Sequence, residues 1–285
     1  MNQVTACIDG LANSTAVVDC AIWAARQLDV PLCFLHALER QPERAALGDY
    51  SGALGMGAQE DLLQSLSELD ETQSRLAQQS GRHLLAAAQH RAQAAGSTRI
   101  ETRLRHGELV DAATAVEETT RLFVLGEHFH ASGPTRLHLD HRVERVIRSA
   151  TRPVLVVTGS VFEPPQRFLI AFDGSATAMK AIEMVAASPM LAGLPVVVAM
   201  AGADSEAARQ QLAAALQRLQ SSGFAVTTEC VAGTPETVIP QLIDQHRASL
   251  LVMGAYGHSR LRHLIVGSIT TTLLRIATVP VLVLR

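Results

Sequence analysis

Four small residues near the end of the chain have the types and spacing of a phosphate-binding loop. Gly254 is followed by Gly257, and after nine further residues come Gly267 and Ser268. Glycines can take positive φ and let backbone N–H groups approach a ligand without an intervening Cβ. The start of a helix offers unpaired N–H groups and a positive dipole end to phosphate, and Thr270 adds a hydroxyl to that of Ser268. The spacing therefore predicts a phosphate site.

The residues around these glycines predict the elements that position them. Leu251–Met253 is apolar and runs into the first glycine, as a buried strand does when it ends in a turn. Behind the Gly-Ser pair, Ile269–Ala277 has helical spacing, Pro280 breaks the helix, and Val281–Leu284 forms a last buried strand. The predicted order is strand, glycine loop and helix start. The alternative is that the glycines serve turns alone.

The spacing G-x2-G-x9-G-S closely resembles the ATP-binding signature of the universal stress protein family. Met253 before it and the ending TVPVLVLR after it also resemble that family's C-terminal half. The resemblance implies that ATP is bound. The sequence has no nucleophile-plus-base pair or arginine finger near the glycine loop, so we expect slow hydrolysis at most. The residues that the resemblance assigns to the nucleotide are Asp173, Met200, Met253, Gly254, Gly257, His258, Gly267, Ser268, Ile269 and Thr270.

The same plan of strands and helices occurs twice along the chain. An apolar strand ends in Asp9–Gly10 in the first copy and in Asp173–Gly174 in the second. A helical segment is predicted to follow each strand, roughly Ser14–Leu28 and Ala176–Leu191. The last strands match almost letter for letter, PVLVV at 153–157 and PVLVL at 280–284. Two copies of one β/α unit therefore make up the chain.

Strands that alternate with helices predict an α/β fold, with a parallel sheet covered by helices on both faces. A linker rich in Gly, Ser and Pro at 158–166 separates two predicted domains, residues 1–159 and 160–285. The resemblance implies two tandem Rossmann-like domains of the adenine nucleotide alpha hydrolase-like type, each with five strands in the order 3-2-1-4-5. Strands 1 and 4 are then neighbours, and their carboxyl ends flank the crevice where open α/β sheets bind ligands.

Three of these expected site residues have roles that the glycine spacing itself does not define. Asp173 at the end of strand 1 could accept from a ribose hydroxyl or help to hold Mg²⁺, or it could be the N-cap of the following helix. The resemblance implies main-chain contacts to adenine around Met200, near the end of strand 2. His258 could donate to a phosphate or be an exposed loop histidine.

The first copy lacks the glycine signature. Phe129 stands where the second glycine belongs, and Asp140 and His141 take the places of Gly267 and Ser268. A carboxylate repels phosphate by roughly 4 kcal/mol at about 4 Å for an effective dielectric near 20. The first domain is therefore predicted to be degenerate and to have lost ATP. Asp9 in this copy is expected to cap its helix.

The loop of the first copy is rich in histidine. Imidazole is a good zinc ligand, so zinc is one option there, although no cysteine accompanies the histidines and solvent-facing histidines are the commoner case. The residues concerned are His128, His130, His138 and His141.

Composition excludes several classes of protein. The chain has 285 residues, 48% of them hydrophobic, which suffices for two cores. Its net charge is −3 and it has no strong basic cluster, so nucleic acid is not an expected partner. We find no apolar run of ~18 residues and no signal-peptide pattern, and the four cysteines are scattered. These features predict a cytoplasmic protein without a membrane span.

Two other functions compete with ATP-dependent regulation. An adenylyl-transferring or nicotinamide enzyme on a similar fold should carry an SGGxDS-like, HxGH or GxGxxG motif after strand 1, whereas the chain has DGLANS and DGSATA. Walker A is absent as well. A nucleotide-independent interaction module is the other alternative, and the intact glycine signature argues against it.

The predicted sheet also suggests how the copies assemble. Strand 5 is an apolar edge strand, whose unpaired main-chain groups favour pairing with another edge. We predict an intrachain pseudo-dimer, with a homodimer and an unspecified protein partner possible.

Overall fold

A computed structural model describes residues 2–39, 56–127, 141–254 and 268–285, and the elements in these ranges form two similar series. The first half contains β1 (Gln3–Cys7), α1 (Ser14–Leu28), β2 (Leu32–Leu38), α2 (Met56–Ala94), β3 (Ile100–His106), α3 (Leu109–Thr114), β4 (Thr120–Gly126), α4 (His141–Ser149) and β5 (Val154–Val157). The second half contains β6 (Phe168–Ala171), α5 (Ala176–Ala187), β7 (Val196–Ala201), α6 (Glu206–Gln220), β8 (Val226–Val231), α7 (Pro235–His246), β9 (Leu250–Gly254), α8 (Ser268–Ile276) and β10 (Val281–Leu284). Short 3₁₀ turns cover Glu117–Thr119 and Pro189–Leu191.

The ten strands in the described ranges belong to one sheet, in the order β3-β2-β1-β4-β5-β10-β9-β6-β7-β8. Each half has the order 3-2-1-4-5, and its strands are parallel. The α/β prediction is therefore confirmed. A parallel sheet needs cover on both faces, and its strands are accordingly near-continuous apolar runs.

The halves join through their fifth strands. β5 and β10 pair antiparallel, with Leu282 opposite Leu155 and Val281 opposite Val156. We call this pairing the seam. It is the internal pseudo-dimer expected from two apolar edge strands. Because the seam uses both strands, a homodimer would have to form through another surface.

The core consists of one layer on each face of the sheet, and both layers cross the seam. Leu282 and Leu284 lie in the layer covered by α1, α2, α5 and α6. Val281 and Val283 lie in the layer covered by α3, α4, α7 and α8. Residues of both halves contribute to each layer, so we expect the two halves to stabilise each other.

Helix α5 is shorter than the sequence pattern indicated. The apolar pattern extends to Leu191, whereas the helix ends at Ala187 and a 3₁₀ turn follows at Pro189–Leu191. Proline disfavours helical backbone in the residue before it. Ser188 is accordingly extended, with φ −97° and ψ 131°.

The longest helix, α2, has 39 residues, which corresponds to a length of about 58 Å. Its C-terminal part packs on the sheet through Leu85, Ala88 and Ala92. Within the described ranges, no helix combines the length and the apolar character needed to cross a membrane.

Three of the four cysteines are buried and chemically quiet. Burial raises the pKa of the Cys7 and Cys20 thiols well above the usual value and that of Cys33 to about 12. A thiol is nucleophilic only as the thiolate, so these residues act as small core side chains. Cys230 on β8 is only partly buried.

Candidate functional site

The two motifs singled out in the second half meet at one edge of the sheet. β6 and β9 are adjacent and parallel, and Ala171 pairs with Met253. Gly254 ends β9, and Asp173 follows the last residue of β6 by two positions. Both therefore lie at the carboxyl ends of neighbouring strands, where open α/β sheets bind ligands. We call the space between these two strand ends the second crevice.

Asp173 holds the turn between β6 and α5. Its Oδ1 accepts from the Ser175 N–H at 2.9 Å, across Gly174 with φ +74°. The N-cap of α5 is Ser175, whose Oγ accepts from the Ala178 N–H at 3.1 Å. The alternative that Asp173 is the N-cap is therefore wrong, because the aspartate lies two residues outside the cap. Its side chain remains largely exposed.

Asp9 forms the same turn in the first half. Its Oδ1 accepts from the Leu11 N–H at 3.0 Å and from the Ser14 hydroxyl at 3.1 Å, and Gly10 has φ +80°. The N-cap position of α1 is Asn13. The expectation that Asp9 caps the helix is therefore wrong, because the aspartate lies four residues before the N-cap. Both aspartates stabilise Asx turns.

Gly254 allows a close approach between β9 and the first turn of α5. A Cβ added at this position would lie 3.3 Å from the Thr177 carbonyl oxygen and 3.4 Å from Thr177 Cγ2. The first of these contacts is tight, so a larger side chain would push α5 away from the strand. This packing is a structural reason for a glycine at position 254, in addition to its expected role at a phosphate.

The other expected residues have different surroundings. Met253 and Met200 are buried in opposite core layers, with 3% and 6% exposure. Helix α8 begins at Ser268 as expected; Ile269 is 45% exposed and Thr270 is half-buried. Expected residues outside the described ranges are Gly257, His258 and Gly267 in the second half, and His128, Phe129, His130, His138 and Asp140 in the first.

No group of three or more potential metal ligands is present in the described part of the chain. Of the four histidines considered for zinc, His141 is described, and it is exposed at the start of α4.

In the first half, side chains of the protein itself span the space at the carboxyl ends of β1, β2 and β4, which we call the first crevice. The Glu39 carboxylate accepts from the Leu109 N–H at 3.1 Å and pairs with Arg142 Nη2 at 2.9 Å. A second ion pair joins Glu108 at the start of α3 to Arg145 on α4. A cavity of about 30 Å³ remains, lined by Cys7, Asp9, Leu125 and Gly126 among others.

The second half has uncharged residues at the four positions that correspond to these ion-paired glutamates and arginines. Aligning the strands and helices of the two halves places Ala203 and Thr234 opposite Glu39 and Glu108. The same alignment places Ile269 and Thr272 opposite Arg142 and Arg145. No sequence motif indicates these ion pairs, although the contrast in charge between aligned positions is visible in the sequence.

The Glu108–Arg145 pair predicts a pH dependence of stability. The hydrogen bond and charge of Arg145 lower the pKa of the Glu108 carboxyl below 4.5. A lowered folded-state pKa means that the stabilisation is complete above the unfolded value and is lost as pH falls through the folded value. We expect Glu108→Gln to lower the unfolding temperature at pH 7, and the difference from wild type to shrink as the pH falls below the ordinary glutamate pKa of about 4.3. Thermal unfolding between pH 3 and pH 7 measures this, and a difference independent of pH would contradict it.

Comparison with known proteins identifies the family. The Universal stress protein family model matches residues 1–158 and 187–285. The chain is 31% identical over 288 residues to universal stress protein Slr1230 of Synechocystis, and the match covers 100% of both. The chain therefore belongs to the universal stress protein family.

Solved structures show the same fold. A universal stress protein from Archaeoglobus fulgidus superposes with a TM-score of 0.69 at 18% identity, over 99% of this chain and 98% of that one. Another universal stress protein, which matches 43% of this chain and 98% of its own at 22% identity and a TM-score of 0.38, was solved in complex with cAMP.

Proposed function

We propose that the second crevice binds ATP and that the protein is an ATP-binding regulator of the stress response with slow hydrolysis at most. The observation that carries the proposal is the meeting of Asp173 and Gly254 at the carboxyl ends of the adjacent strands β6 and β9, with α8 starting at Ser268. The carboxylate of Asp173, in its Asx turn, suits a ribose hydroxyl. Gly254 lets a ligand approach the backbone closely, and the start of α8 at Ser268 suits a phosphate.

In this proposal the nucleotide lies along the carboxyl edge of β6, β7 and β9. The main chain near Met200 contacts the adenine, and Asp173 contacts the ribose. The phosphates lie on the loop from Gly254 to α8 and receive N–H and hydroxyl donors. The donors there come from Gly257, His258, Gly267, Ser268, Ile269 and Thr270.

A magnesium ion would fit this arrangement. Mg²⁺ is usually held by substrate phosphates, water and one or two carboxylates. Asp173 has an exposed carboxylate beside the crevice, and its Oδ1 is oriented by the Ser175 N–H. When bound, the ion would neutralise phosphate charge.

We propose domains at 1–159 and 160–285, with one nucleotide per chain. The Glu39–Arg142 and Glu108–Arg145 pairs connect the elements around the first crevice, and the Glu39 carboxylate there would repel phosphate. The buried, unpaired thiols of the first half suit a reducing compartment, so we propose the cytoplasm.

Calorimetric titration of the purified full chain with Mg-ATP tests the proposal. We expect saturation at one ATP per chain, together with a higher unfolding temperature. A ligand at 100 times its Kd stabilises by about 2.7 kcal/mol. Mass spectrometry of small molecules released from denatured protein would identify a co-purified nucleotide. Absence of binding at millimolar ATP would reject the proposal in favour of a nucleotide-independent interaction module.

A further inference from the structure

The antiparallel seam brings part of the first half to the second crevice. Strands of the first half run opposite to those of the second, because β5 and β10 are antiparallel. The amino ends of β1–β5 therefore lie along the same edge as the carboxyl ends of β6–β10. The loop 150–153, which leads from α4 into β5, is consequently on the edge where the second crevice opens.

Arg285 is beside the first glycine of the phosphate signature. Leu284 on β10 is the register partner of Gly254 on β9, and neighbouring strands are about 4.8 Å apart. Arg285 is the next residue along the chain. Val281 and Val283 lie in the core layer covered by α4 and α8, so the alternation of side chains along β10 places Arg285 on that same face. Arg285 therefore lies on the face of the sheet that carries the start of α8.

A second guanidinium approaches from the other side of the seam. Arg285 Nη1 donates to the carbonyl oxygen of Ala150, the residue after α4. Two residues further on, Arg152 has an Nε that is shielded from solvent and has no hydrogen-bond acceptor among the described residues. The carboxylate of Glu117, in the 3₁₀ turn before β4, contacts the residue before Arg152: it accepts from the Thr151 N–H and hydroxyl.

We propose that Arg285 and Arg152 bind the terminal phosphates of a nucleotide held in the second crevice, so that the first half completes the site of the second. This inference rests on the proposed function and adds a preference for nucleoside triphosphates over monophosphates. Guanidinium groups bind phosphate oxygens through a planar fork of N–H donors. A phosphate oxygen would also supply the acceptor that Arg152 Nε lacks.

Charge-neutral variants test this by comparing nucleotides that differ in phosphate number. In Arg285→Gln we expect ATP affinity to fall about tenfold, and in Arg152→Gln about threefold, because a charge-assisted contact is lost. AMP and adenosine lack the terminal phosphates, so their affinities should stay within about twofold of wild type. Arg285→Lys, which keeps the charge without the fork, should lie between wild type and Arg285→Gln.

Arg99→Gln is the matched control. It removes the same charge from the same edge, but Arg99 precedes β3, five strands from β10 and hence about 24 Å away. This exceeds the screening length of about 8 Å at physiological salt. ATP affinity should be unchanged in this variant.

The outcomes separate a ligand contact from a purely structural one. An unchanged ratio of ATP to AMP affinity in both Arg285→Gln and Arg152→Gln would overturn the inference. An equal loss for ATP, AMP and adenosine, with a lower unfolding temperature without ligand, would also overturn it and leave Arg285 as a structural contact of the seam. Failure of the wild type to bind ATP would instead reject the proposed function, before any variant is compared.

Discussion

Gly267→Asp is expected to weaken ATP binding by at least about 100-fold while the protein stays folded. The variant gives the second half the residue that the first half carries at Asp140. A carboxylate about 4 Å from a phosphate costs roughly 4 kcal/mol at an effective dielectric of 20, and each 1.4 kcal/mol is tenfold in affinity. Calorimetric titration with ATP measures the loss, and thermal unfolding without ligand reports whether the fold is kept.

Gly159→Asp is the control for this variant. Gly159 lies in the linker, its φ is not positive, and a Cβ added there would meet its nearest atom, the Val161 carbonyl oxygen, at an ordinary 3.5 Å. The control makes the same chemical change and the same change in net charge away from the crevice. Equal ATP affinity in Gly267→Asp and Gly159→Asp would show that the phosphates do not lie at the start of α8.

Leu282→Ala is expected to lower the free energy of unfolding by about 3 kcal/mol and to destabilise both halves together. Leu282 is 3% exposed and pairs with Leu155 across the seam. Both residues belong to one core layer, which also contains Phe168 of the second half. Truncation leaves a cavity that this continuous layer cannot fully close. Loss of packing in β10 should therefore weaken the first half as well.

The single tryptophan makes this coupling measurable. Trp23 lies on α1 of the first half and packs against Phe162, with ring centroids 5.7 Å apart. In denaturant titrations of Leu282→Ala, the Trp23 fluorescence and the circular dichroism should shift to the same lower midpoint. Leu76→Ala is the control, since Leu76 is 60% exposed and its truncation should change stability by about 0.5 kcal/mol or less. A Trp23 midpoint equal to that of wild type would mean that the halves unfold independently.

Local sequence patterns predicted the elements closely where short-range physics dominates. Helix α1 covers Ser14–Leu28 and α8 starts at Ser268, both as expected. The paired Asp-Gly motifs became equivalent turns, with φ near +80° at Gly10 and +74° at Gly174. Such features depend on side-chain periodicity and on the backbone freedom of glycine, which are properties of a few neighbouring residues.

Contacts between distant residues decided the rest. A helix cap and an Asx turn have similar local sequences, so the residues around Asp9 and Asp173 are compatible with either. The tertiary structure distinguishes the two through the N–H group that each carboxylate binds. The Glu39–Arg142 pair connects residues about 100 positions apart, and no local pattern indicates such a partner.

The sequence alone determined the duplicated α/β plan, the glycine signature of the second copy and its loss in the first, because each is carried by residue type and spacing along the chain. Only the tertiary structure decided that the halves form one continuous sheet in this register. The tertiary structure alone also placed Arg152 and Arg285 on the edge of the sheet where the second crevice opens. The reason is physical: an exposed apolar edge strand requires a partner, but the register and the residues brought together depend on the packing of the whole sheet.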